Sequence, residues 1–84
     1  MYRIEGRDYW IVVGSSVERD GMFLECTPKE DGAEVLIEIF YRDQDGAFTM
    51  QTSGAELPLA LVKLVIAEAE RLLPPWSRDQ TPGT

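Results

Sequence analysis

The chain predicts an α+β fold: an antiparallel meander sheet of four to five strands with one C-terminal helix packed on one face, in ββββα-like order. Three observations predict it. Residues 1–56 fall into short runs that alternate apolar and polar positions, the period of a strand with one buried face. Two turn signals, Asp20-Gly21 and Asp43-Gln44-Asp45-Gly46, break those runs at hairpin spacing. From Leu57 to Leu73 the period becomes helical, and Pro74-Pro75 ends it.

Each element follows from local chemistry. Asp20-Gly21 suits a two-residue turn with positive φ, which sets Arg19 opposite Met22, Val17 opposite Leu24 and Ser15 opposite Cys26. One strand face then carries Ile11, Val13, Val17, Met22, Leu24 and Cys26. A four-residue loop at Asp43–Gly46 sets Tyr41 opposite Phe48, Ile39 opposite Met50 and Ile37 opposite Thr52. Lys29-Glu30-Asp31-Gly32 links the two hairpins. Tyr2 to Glu5 forms a short extra strand turning back at Gly6-Arg7-Asp8, which adds Ile4 to the same face beside Ile11. Two start signals compete for the helix: the capping-box spacing of Ser53 and Glu56, and Pro58 at the first helical position.

The helix carries more apolar surface than one buried face needs. Leu61, Val62, Val65, Ile66, Ala69, Leu72 and Leu73 make a broad face for the sheet. Leu57, Ala60, Leu64 and Ala67 make a second, narrower strip near Lys63, Glu68, Glu70 and Arg71. The far face of the sheet holds Trp10, Val12, Phe23, Leu36 and Phe40, with Glu25, Glu38, Arg42, Thr49 and Gln51 among them. One helix cannot cover both sheet faces. The candidate interaction residues are therefore Leu57, Ala60, Leu64 and Ala67 on the helix and Trp10, Phe23 and Phe40 on the sheet. Cross-strand aromatic pairing, or Trp76 folding back, would also satisfy the aromatics.

Composition bounds the function classes. Eighty-four residues make one domain over 1–76, with 77–84 a disordered polar tail. There is no histidine, which removes Ser-His-Asp and Cys-His catalysis and histidine metal ligation. The single Cys26 excludes an internal disulfide and reads as a buried small hydrophobe. Asp43-Gln44-Asp45-Gly46 fails as a calcium loop, because Ala47 and Gly54 stand where oxygen ligands belong. Glu25 and Glu38 share a face but lack a third group for acid–base work. The expectation is a non-enzymatic chain with no cofactor. MYRIEGRDYW lacks the pattern of a signal peptide and no apolar run approaches membrane length, so the expected location is the cytoplasm, away from membranes.

Fifteen acids against eight bases leave a net charge of −7, which argues against nucleic acid as a default partner. Four antiparallel strands followed by a helix, across about residues 9–73, resemble Whirly and PUR-type modules in element order. That resemblance implies a dimerising module that binds single strands on sheet aromatics. Here Glu25 and Glu38 accompany Trp10, Phe23 and Phe40, where those modules use basic residues. The expected role is a small protein-interaction domain that forms a homodimer through the helix strip or the aromatic face. The alternatives are a single-strand nucleic-acid binder and an acidic inhibitor or immunity-type protein with a basic partner.

Overall fold

A computed structural model describes residues 1–75. Its elements are β1 (Tyr2–Ile4), β2 (Arg7–Ser16), β3 (Gly21–Pro28), β4 (Ile37–Arg42), β5 (Phe48–Thr52) and α1 (Leu59–Leu72). The five strands form one antiparallel sheet in sequence order, and α1 lies across one face over β3 and β4. This is the α+β meander with one C-terminal helix that the periodicity predicts.

The strands pair where turn chemistry lets the chain reverse. Glu5 and Gly6 both take positive φ, 51° and 79°, so β1 and β2 meet through a two-residue turn one position earlier than Gly6-Arg7-Asp8. Ile4 therefore faces Arg7 rather than lying beside Ile11, although it still packs against the core. The β4–β5 hairpin has the predicted register, with Tyr41 opposite Phe48, Ile39 opposite Met50 and Ile37 opposite Thr52.

The β2–β3 hairpin corrects the reading of Asp20-Gly21. Ser16 pairs with Gly21, Val13 with Leu24 and Ile11 with Cys26, so the loop is four residues long, from Val17 to Asp20. Asp20 takes the positive φ of 56°, while Gly21 is already the first residue of β3. Val17 leaves the strand face and is 93% exposed in the loop. The pairing moves by an even number of residues, so every other side chain keeps its predicted face.

One face of the sheet supplies Tyr9, Leu24, Cys26, Ile37, Ile39 and Tyr41 to the core, and α1 supplies Leu61, Val65, Ala69 and Leu73 at four-residue spacing. Leu24, Ile37, Leu61 and Val65 are completely buried, each contributing about 1.5–3 kcal/mol by burial. Neither start signal is used as predicted. Pro58 is the N-cap, not the first helical residue, and no side chain caps the helix. The Ser53 hydroxyl instead accepts from the Ala55 N–H at 3.3 Å. The helix ends at Leu72, and Leu73, still in the αR region with its N–H donating to the Ala69 carbonyl, caps it directly before the two prolines. Trp76 and the predicted tail lie outside the described residues.

Candidate interaction surfaces

The helix strip does not form a separate stripe. Leu57, which precedes α1, is half-buried against the core and lines a cleft with Ile4, Tyr9 and Pro58. Leu64 is half-buried, whereas Ala60 and Ala67 are exposed. Glu68 and Arg71 form an ion pair beside Leu64, and Arg71 also reaches Tyr2 on β1. Leu57 pads the core edge. Only the two alanines stay free.

The aromatic face is largely satisfied from within. The Phe23 ring lies on Gly14, its cross-strand partner, and a Cβ built there would stand 2.6 Å from the ring. The Phe40 ring lies on Gly21 in the same way, at 2.5 Å. The Arg19 guanidinium stacks 3.9 Å from the Phe40 ring centre and bonds Glu38 at 3.2 Å. Phe40 is consequently 6% exposed on a face that no helix covers among the described residues. Lys29 approaches the Trp10 ring to 5.5 Å, yet Trp10 remains 45% exposed beside an exposed Val12. Leu36 is not among these aromatics; it precedes β4 and packs against the core residues. Of the three aromatics, Trp10 alone offers substantial area.

Another uncovered surface lies between α1 and β5. Ile66, assigned by periodicity to the buried face, is exposed, and so are Leu59, Phe48 and Met50. A cleft of about 170 Å³ opens here, lined by Ile39, Phe48, Met50, Ile66, Ala69 and Glu70, among others. Its cause is geometric. Five strands span roughly 19 Å between edge axes, whereas a helix with its side chains is about 10 Å wide. A helix seated over β3 and β4 leaves β5 uncovered. Strand count and helix number together carry that signal in the sequence.

Among the described residues, both edges of the sheet are open. Among the described residues, β1 pairs only with Arg7 to Tyr9, so no strand lies against Trp10–Ser16 on the side away from β3. The Lys29 N–H donates to the Asp8 carbonyl at 2.9 Å, which marks the even-numbered residues of β2 as bonded to β3. The N–H and C=O groups of Ile11, Val13 and Ser15 therefore point outward. The Arg42 N–H bonds to the Ala47 carbonyl at 2.9 Å and the Ser53 N–H to the Leu36 carbonyl at 3.0 Å. By the same alternation, Phe48, Met50 and Thr52 turn their backbone groups outward from β5. Neither edge segment carries a charge or a proline, the usual guards of an exposed strand.

No chemical centre accompanies these surfaces. Cys26 is fully buried, and desolvation pushes its thiol from 9.0 up to about 11, the opposite of what a nucleophile needs. No group of three or more acidic, cysteine or histidine side chains is placed to hold a metal among the described residues. No helix among them is long and apolar enough to cross a membrane. Comparison with known proteins returns no match to a family model, a curated protein or a solved structure.

Proposed function

We propose that this chain is a small non-enzymatic protein-interaction domain that associates with a second copy of itself. The observation that carries the reading is the mismatch between a five-stranded sheet and a single helix. It leaves unguarded strand edges and the apolar side chains of Leu59, Ile66, Phe48 and Met50 in solvent. Burial of such a surface in a symmetric dimer removes one open edge and the apolar exposure in one step. A fully buried lone thiol suits a reducing compartment, and the cytoplasm is the proposed location.

Analytical ultracentrifugation from low to high micromolar concentration tests the proposal, and the expected result is a reversible dimer. A chain that stays monomeric at high micromolar concentration overturns it. Fluorescence anisotropy with mixed-sequence oligonucleotides is expected to find no sub-micromolar binding at physiological salt, because the net charge is −7 and Glu25 and Glu38 stand beside the aromatics.

A further inference from the structure

We infer that the second copy docks on the β5 edge, with two β5 strands pairing antiparallel about Met50 and Lys63 of each helix meeting the partner's Glu70. The inference rests on the self-association just proposed and assigns its interface. Three observations converge on this edge.

The first is hydrogen bonding. Outward backbone groups at Phe48, Met50 and Thr52 are self-complementary under a two-fold axis at Met50. Met50 pairs with the partner's Met50, and Phe48 with the partner's Thr52. All three outward N–H groups and all three carbonyls of each strand are then satisfied. Because such an axis runs perpendicular to the sheet, both helices remain on the same side.

The second is apolar contact. Phe48, Met50 and Ile66 are exposed on that side and line one cleft. Helices seated over β3 and β4 of each copy stand roughly 19 Å apart across the seam, wider than the 8–10 Å of direct helix packing. The intervening space is filled by these side chains from both copies, which would otherwise remain in water.

The third is charge. Among the described residues, Arg3, Arg7, Arg19, Arg42 and Arg71 are each in an ion pair, and Lys29 faces the Trp10 ring. Lys63 has neither an ion pair nor a ring contact there, and Glu70 has no cationic partner. The two residues stand seven apart, about two turns, on one exposed flank that also carries Ile66. Ile66 lines the same cleft as Met50, so the axis through Met50 passes close to Ile66 and runs the helices antiparallel. That reversal brings Lys63 to the partner's Glu70, twice per dimer.

Dimer dissociation constants of Lys63→Glu, Glu70→Lys and the double variant, measured by sedimentation at low salt, test the inference. Both side chains are exposed, so the circular-dichroism spectrum is expected to stay native. Each single reversal is expected to raise the dissociation constant about tenfold, because two attractive pairs become repulsive. The double variant is expected to return within about threefold of wild type. Net charge alone makes a different forecast: Lys63→Glu would weaken the dimer and Glu70→Lys would strengthen it. Val13→Lys, on the β2 edge, is expected to leave the constant unchanged. A wild-type dimer that ignores both reversals, or that Val13→Lys dissociates, overturns the β5 assignment while self-association stands. A monomeric wild type overturns both.

Discussion

Gly14 and Gly21 sit on the same sheet face under aromatic rings, yet a methyl group would meet different obstacles at the two positions. At Gly14 the nearest atoms are the Phe23 ring carbons at 2.6 and 2.9 Å, and a half-exposed ring can tilt away. At Gly21 the nearest atom is the Tyr41 carbonyl oxygen at 2.1 Å, part of the neighbouring strand's backbone. Gly21→Ala is therefore expected to cost about 1–3 kcal/mol, and Gly14→Ala less than about 1. Urea denaturation midpoints compare them, and equal losses would mean that the β3–β4 backbone yields as readily as a side chain. Cys26 makes a second test. The thiol stays neutral in the fold up to about 11, while the unfolded chain ionises near 9.0. Its share of stability is whole below pH 9 and is lost as the pH rises through 11. The native thiol is expected to resist a disulfide reagent at pH 8 and to react at once in denaturant; rapid native labelling would show that the core opens there. Leu24, completely buried, is expected to cost about 2–5 kcal/mol on truncation to Ala, read from the same denaturation curves.

The β4–β5 loop shows how one element resists acid. Both carboxylate oxygens of Asp45 accept from the Arg42 guanidinium at 2.8 Å, and one also accepts from the Ala47 N–H at 3.1 Å. The Arg42 bonds, followed by the Ala47 N–H, hold the carboxyl at about 2, below its ordinary 3.8. The depressed value means that this support is present above pH 3.8 and disappears as the pH falls through 2. Asp45→Asn is expected to flatten the drop in melting temperature between pH 5 and pH 2.5, though modestly, since the pair is exposed. An unchanged acid limb would assign acid sensitivity to other carboxylates. The same loop explains why this hairpin was legible in sequence: Asp43–Gly46 has one length, and its turn residues are used as turn residues. Asp20-Gly21 misled because its glycine serves a different need. Gly21 admits the Phe40 ring and the Tyr41 carbonyl, so the glycine belongs to packing and the turn falls on Val17–Asp20. Alternation still separates the two sheet faces, although Val13 and Val17 are exposed and Tyr9 joins the core, because faces depend on parity and not on loop length.

For the whole molecule, the legible and illegible parts divide at the helix. Element order, most of the sheet's core residues and the two sheet faces follow from periodicity. The position of α1 across the sheet does not, because it depends on which flank the helix leans toward, and a helical wheel carries no such direction. The wheel places Ile66 in the core and Leu64 in a surplus strip, whereas in the fold Leu64 is half-buried and Ile66 is exposed beside Phe48 and Met50 of β5. The open edges have a further consequence for the proposed dimer. A two-fold closure at β5 consumes that edge and leaves one β2 edge at each end of a ten-stranded sheet. Pairing of β2 with β2 from another dimer does not close, and it extends into a ribbon. Trp10 to Ser16 presents Trp10, Val12 and Val13 exposed, with no charge to stop such growth. Val13→Lys places an ammonium at the centre of that edge. It is expected to slow the rise of light scattering at high concentration while changing unfolding by less than about 1 kcal/mol, because Val13 is already 38% exposed. Scattering that rises as fast as in wild type would assign association to another surface. The −7 charge of each chain opposes the same growth over distance, so added salt is expected to speed wild-type scattering more than that of the variant, whose edge carries its own block.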